Sequence, residues 1–227
     1  MKYIVFGLGN YGSSLGSKLV ELGHEVFGID SSKERVEKMQ NRITYTIAMD
    51  VTNREAIQDL PIKESDAAII AIGENEGTII LLAALLKQIG AKRIICRATS
   101  SLQKAILESM GITEFVYPEK DSAERNAYTF DTREVLDSYR VCEKYHIAEV
   151  SLPGKFVGFK VGEINFKEKY DIQLVSVKRS QEARNIIGVM RTKKKTLGLV
   201  GPDLELQAGD VLILFGETKN IGDFLLD

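Results

Sequence analysis

Two cysteines and two histidines in 227 residues leave little material for metal or thiol chemistry. Cys96 falls in an apolar strand-like run and Cys142 in a helix-like segment, with no C-x-x-C spacing. A disulfide framework and a structural zinc site are therefore not expected, and two buried or idle thiols are. Long apolar runs are lacking too: the longest, Ile79 to Leu86, is far too short to cross a bilayer. The first residues read as a buried strand rather than the charged, apolar, small-residue order of a secretory signal, so a cytoplasmic protein is expected. Nor does one charge dominate. With 30 Lys and Arg against 32 Asp and Glu the net charge is -2, which lacks the long-range basic field that nucleic acid or anionic lipid would need in a primary partner.

Familiar catalytic sets are missing as well. No Tyr-x-x-x-Lys spacing occurs, and the two histidines, His24 at a helix-to-strand turn and His146 in a connector, are not placed for acid-base work. Ser13 stands where a P-loop needs its phosphate-binding lysine, so ATP hydrolysis by that route is excluded.

What is present is concentrated at the start. An apolar run, Tyr3-Ile4-Val5-Phe6, feeds Gly7-Leu8-Gly9-Asn10-Tyr11-Gly12, then a helical pattern, then Glu25-Val26-Phe27-Gly28-Ile29-Asp30. Gly7 and Gly9 suit a tight turn and close backbone approach to phosphate, and Gly12 lets the following helix pack on the strand and aim its N-terminal amides at an anion. Asp30 ends the second strand, where a carboxylate accepts hydrogen bonds from ribose hydroxyls. Strand before, helix after and acid at the next strand end make this a dinucleotide-type fingerprint in its proper context.

The alternation continues to about residue 118. Strands are expected at Tyr3–Phe6, Glu25–Ile29, Thr44–Ile47, Ala67–Ile72, Arg93–Cys96 and Glu114–Tyr117, with helices at Tyr11–Leu22, Lys33–Met39, Arg54–Asp59, Thr78–Gln88 and Leu102–Met110. This predicts an α/β fold, a Rossmann-like doubly wound parallel sheet over residues 1–119. Ligands of such sheets sit outside the carboxyl ends of the strands. The loops there supply further candidate nucleotide contacts: Ser31 beside Asp30, Asp50 and Val51 after the third strand, Gly73 and Asn75 after the fourth, Arg97 after the fifth and Glu119 after the sixth. Asp50 suits an adenine amino group and Arg97 a phosphate, against the alternative of solvated loop charges; Asn75 equally suits a helix cap.

Residues 120–147 read as a polar helical connector and dimerisation arm, with apolar positions such as Ala123, Phe130 and Tyr139 spaced irregularly. Residues 148–227 read as a small β-rich α+β domain. Strands are expected at Ala148–Leu152, Leu174–Lys178, Thr196–Leu199 and Val211–Phe215, punctuated by Pro153-Gly154, Gly188, Gly201-Pro202 and Gly209-Asp210. The cationic run Arg191-Thr192-Lys193-Lys194-Lys195 reads as a solvated hairpin turn.

The chain resembles the RCK (regulator of potassium conductance) family, in particular the stand-alone cytoplasmic regulatory subunits of Trk/Ktr potassium-uptake systems. The matching residues are Gly7-Leu8-Gly9-Asn10-Tyr11-Gly12, Gly23-His24-Glu25-Val26, Ile29-Asp30, Ala71-Ile72-Gly73-Glu74-Asn75, Ile94-Ile95-Cys96-Arg97-Ala98 and Val116-Tyr117-Pro118-Glu119-Lys120-Asp121. The tail Pro153-Gly154-Lys155-Phe156-Val157-Gly158, with Gly209-Asp210-Val211-Leu212, resembles the family's C-terminal domain.

The resemblance implies a non-enzymatic gating subunit that binds an adenine nucleotide (NAD or NADH, ATP or ADP). Such a subunit forms a homo-oligomeric ring and sits peripherally on the inner face of the membrane through a potassium-translocating partner. Asp30 would take the ribose, the Gly7–Gly12 turn the phosphates, Asp50 and Asn75 the base and ribose, and Arg97 the phosphates; Glu119 would join a divalent cation. Many relatives carry Arg where this chain has Asn10, so the resemblance does not bring ATP selectivity with it. Some relatives bind cyclic di-AMP between two C-terminal domains. Here Ile164, Phe166, Tyr170 and Ile172 beside Lys169 are the corresponding expectation, against the alternative of ordinary core positions. The readings from other classes are a small NAD-dependent oxidoreductase and a scaffold with a vestigial nucleotide site.

Overall fold

Alternate residues of the first strand go to opposite faces. Ile4 and Phe6 join one apolar cluster with Ile29, Ile70 and Leu86, while Tyr3 and Val5 join another with Val26, Val36 and Ile69. A strand apolar on both faces needs cover on both. The computed structural model, which describes residues 1–184 and 190–227, provides it in the first of two units, Met1–Pro118. Six parallel strands, β1 (Lys2–Phe6), β2 (Glu25–Asp30), β3 (Tyr45–Ala48), β4 (Ala67–Ile70), β5 (Ile94–Arg97) and β6 (Glu114–Val116), stand in the order β3-β2-β1-β4-β5-β6. The crossovers are α1 (Asn10–Glu21), α2 (Lys33–Met39), α3 (Arg54–Gln58), α4 (Glu76–Ile89) and α5 (Ser101–Ser109). The order in which strands are added reverses between the parallel strands β1 and β4, so the crevice opens outside their carboxyl ends. The expected doubly wound sheet is what forms.

The second unit, Glu119–Asp227, contains nearly all of α6 (Pro118–Asp131) and an antiparallel sheet. The sheet runs β10-β9-β11-β8-β7, from β7 (Val135–Arg140), β8 (Tyr145–Ser151), β9 (Ile172–Arg184), β10 (Met190–Thr196) and β11 (Val211–Glu217). The short helices α7 (Val161–Ile164) and α8 (Phe166–Tyr170) and the terminal α9 (Thr218–Leu226) bury Ile164, Phe166 and Phe224 with Val150, Val177 and Leu214 of the strands.

Three expectations are corrected here. The helix after Lys120 stops at Asp131, and the rest of the supposed connector is β7 and the start of β8, with Cys142 exposed between the two strands rather than helical. A register shift between Val135 and Asp137 hides the strand's period of two. Arg191 to Lys195 form part of β10 rather than a turn, and the strand expected at Thr196–Leu199 therefore lies earlier. On an edge strand lysine is a normal occupant, because neither face has to be apolar. The turn marker Gly188 lies outside the described residues.

Candidate functional site

The turn after β1 is held from three sides. Gly7 has φ +96° and donates its amide to Ile29 O at 2.7 Å. A Cβ at Gly7 would lie 3.0 Å from the backbone nitrogen of Ile72, and one at Gly12 would lie 1.9 Å from Gly7 O. Both glycines are demanded by the fold, one by conformation and both by closeness. Gly9 differs. Its φ is -64°, and a Cβ there would meet nothing within 4 Å. The protein leaves open space over that residue.

Gly9 is also the N-cap of α1, with no side-chain cap and no acidic residue in the first turn. The other crossover helices contrast with it: Ser32, Asn53, Asn75 and Ser100 each accept amide hydrogen bonds at the starts of α2, α3, α4 and α5. The start of α1 therefore lacks the side-chain acceptor that its neighbours have, and the positive end of the helix dipole lies there beside exposed Asn10.

Asp30 is nearly buried, with 6% of its surface exposed. Its Oδ2 accepts from Leu8 N at 2.7 Å and its Oδ1 from Ser32 N at 2.8 Å, and Arg35 Nη1 stands 3.6 Å from Oδ2. The carboxylate thus ties the end of β2 to the glycine turn, and each oxygen keeps a further lone pair for a hydroxyl. Neither Leu8 nor Arg35 was singled out from sequence. Arg35 is signalled only by its place in the first turn of α2, whose cap is Ser32. Ser31 is exposed between Asp30 and that cap.

Around this centre the other strand-end residues take up local duties. Asp50 Oδ1 accepts from Thr52 N at 2.9 Å and Thr52 Oγ1 at 2.8 Å, and the backbone bond followed by the hydroxyl holds its carboxyl below the usual aspartate range. Met49 N donates to Asp30 O at 2.9 Å, joining this loop to the second strand end. Val51 is buried in the core. Asn75 caps α4 through Thr78 N at 3.0 Å. Arg97 lies across Gly73, where a Cβ would come within 2.5 Å of its Nη1, and donates to Ala71 O at 3.3 Å. Gly7, Gly12, Asp30, Asp50, Gly73 and Arg97 thus occupy one continuous sheet edge. Glu119 is exposed in the first turn of α6, in the second unit.

No group of three or more His, Cys, Asp or Glu is placed to hold a metal ion among the described residues. Cys96 is buried, and burial pushes its thiol pKa up to about 12, which makes it inert. His146 is buried on β8 with Nδ1 3.1 Å from Ser138 Oγ and Tyr128 edge-on at 4.3 Å; burial, then Arg140, lowers its pKa.

In the second unit Ile164, Phe166, Tyr170 and Ile172 are all buried, packed in one core. Lys169 is held by Tyr170 Oη at 2.7 Å and Asp227 Oδ2 at 2.6 Å. A small cleft of about 220 Å³ passes over Asn165, Phe166 and Ile172.

The architecture and the turn agree with the comparisons. Over 223 residues the chain is 27% identical to Ktr system potassium uptake protein C of Bacillus subtilis, spanning 98% of this chain and 95% of that one. To Ktr system potassium uptake protein A of Vibrio alginolyticus it is 22% identical over 226 residues, 99% and 96% of the two chains. Among solved structures it is similar to the GsuK channel bound to NAD, with a TM-score of 0.62 at 14% identity; all of this chain is covered but only 39% of that one, and the likeness is one of fold. The TrkA-N domain model matches residues 3–118, the span of the doubly wound unit and its open glycine turn. The chain belongs to the TrkA-N domain family.

Proposed function

We propose that the chain is a non-enzymatic, nucleotide-sensing regulatory subunit of a membrane potassium-uptake system. The observation that carries the nucleotide half is the start of α1: a helix N-terminus without a side-chain cap, open above Gly9, at the point where the strand order switches from one side of β1 to the other. The Ktr relatives, matched over nearly their whole length, support the potassium half.

In this reading the turn from Gly7 to Gly12, with Asn10 and Tyr11 at the start of α1, cradles the phosphates of an adenine nucleotide. Asp30 and Ser31 face the ribose, and Asp50, the Val51 backbone and Asn75 line the base and ribose. Gly73 and Arg97 complete the phosphate side, and Glu119 joins phosphate oxygens around a divalent cation. Two or more copies assemble beneath the translocating subunit on the cytoplasmic side. A nucleotide works the gate by binding one arrangement of the paired units more tightly than another, and it shifts the balance by no more than that difference. The buried state of Ile164, Phe166, Tyr170 and Ile172 favours a packing role for them over contact with cyclic di-AMP, since side chains already committed to a core have no face left for a ligand.

The test has two arms. Nucleotide released from purified protein by denaturation is identified by chromatography, and potassium flux through the reconstituted translocating partner is measured with and without it. Stoichiometric adenine nucleotide and a flux that depends on its identity support the proposal. Nucleotide-independent flux, or turnover of nicotinamide with a substrate, contradicts it.

A further inference from the structure

The net charge of -2 averages over an uneven chain. Residues 178–196 hold Lys178, Arg179, Arg184, Arg191, Lys193, Lys194 and Lys195 against one acid, Glu182, a local balance of +6 that leaves -8 for the remainder. This segment is also unlike the rest in form. β9 pairs with β11 only from Ile172 to Lys178, and from Arg179 to Arg184 its sole strand partner among the described residues is β10. The outer half is a two-stranded ribbon running past the sheet, and such a ribbon has no core of its own to build.

At its base two cations are neutralised internally. Lys178 pairs with Glu149, and Arg179 grips buried Asp210 through Nε at 2.8 Å and Nη2 at 2.7 Å. Farther out, the backbone register sets no acid directly opposite a cation. Arg191, Lys193 and Lys195 stand in register with Ala183, Gln181 and Arg179, while Glu182 is opposite Thr192. Lys194 and Lys195 are exposed. Lysine on an edge strand discourages edge-to-edge pairing. That explains a lysine or two, but not a stretch almost without acids in a chain that has 32 of them.

We propose that the β9–β10 ribbon is a docking surface for the anionic face of a lipid bilayer. Ammonium groups on flexible stems suit a fluid array of headgroup phosphates rather than one bidentate ligand. A headgroup array can engage the charge of the ribbon alone, whereas a nucleic acid that extends beyond the ribbon meets the -8 of the remainder. The whole-chain balance, which argued against anionic lipid, conceals this separation of charge.

The experiment is sedimentation of the full chain with vesicles of neutral phosphatidylcholine and of phosphatidylcholine with phosphatidylglycerol, at about 0.05 M and about 0.5 M salt. Binding to the anionic vesicles should exceed that to neutral ones by roughly tenfold or more and fall at high salt. The variant Arg191→Gln/Lys193→Gln/Lys194→Gln/Lys195→Gln should lose most of it, as should the milder reversal Lys194→Glu/Lys195→Glu, with melting temperature confirming that each folds. A charge-matched control at exposed Lys63, Lys92, Lys144 and Lys219 should keep it. Equal binding to both vesicle types, no binding to either, an unaffected ribbon variant or an equally impaired control would overturn the proposal. So would tighter binding to duplex DNA than to vesicles.

Discussion

Asp30 Oδ2 accepts the amide hydrogen of Leu8 at 2.7 Å, so the acid at the end of β2 and the glycine turn after β1 form one unit. Removing the side chain has two consequences. Asp30→Ala leaves the Leu8 and Ser32 amides without their acceptor, at a cost of about 1–3 kcal/mol in stability, and also deletes the proposed ribose acceptor. Asp30→Asn keeps one amide acceptor and drops the charge. Calorimetric titration of NAD and NADP into the native chain and Asp30→Asn separates the roles. Native protein should bind NADP far more weakly than NAD, because a 2′-phosphate meets the carboxylate as like charge, and Asp30→Asn should narrow that gap. Equal native affinities would remove Asp30 from the ribose site.

Asn10, exposed at the first position of α1, carries no charge toward the phosphates. The native chain should therefore discriminate poorly between ATP and ADP, and Asn10→Arg should shift preference toward ATP by roughly tenfold, the scale of one charge-assisted hydrogen bond. Competition binding measures it. A strong native preference for ATP would mean that another cation supplies the charge.

His146 makes the second unit sensitive to acid. Burial and Arg140 depress its pKa below the ordinary 6.5, so near neutral pH both the folded and unfolded chains hold it uncharged. As pH falls below that value the unfolded chain takes up the proton first, and stability declines until the folded pKa is passed. Urea midpoints at about pH 7.5 and about pH 5.5 should differ more in the native chain than in His146→Gln. Equal differences would place the acid sensitivity elsewhere.

The first unit was legible because its signals are redundant. The run Ala67 to Ile72 reads as a strand from apolarity alone, and it is one to Ile70, beyond which Ala71 and Ile72 pass against Gly12 and Gly7. Asn75 was readable as a cap and serves as one. The tie from Asp30 to Leu8 was not readable, because it joins residues 22 positions apart through a backbone donor that any residue carries. β7 was missed because Asp137 and Ser138 interrupt its pattern: Asp137 pairs with Arg125 of α6, and Ser138 faces His146. The charge of β10 concealed it in the same way, since an edge strand leaves no hydrophobic alternation to detect.

The most direct measurement of the nucleotide claim compares two glycines of one turn. Gly12→Ala forces a Cβ against Gly7 O and should cost about 1–3 kcal/mol or more in stability, along with binding. Gly9→Ala places a methyl in space the protein leaves empty, at a φ that alanine adopts freely. Its melting temperature should match the native chain, while affinity for NAD, ADP and ATP by calorimetry should fall roughly tenfold or more as the methyl takes the phosphate's place. Gly9→Ala protein that binds nucleotide as well as the native chain, or native protein that gives no binding heat with any of the three, would contradict the account.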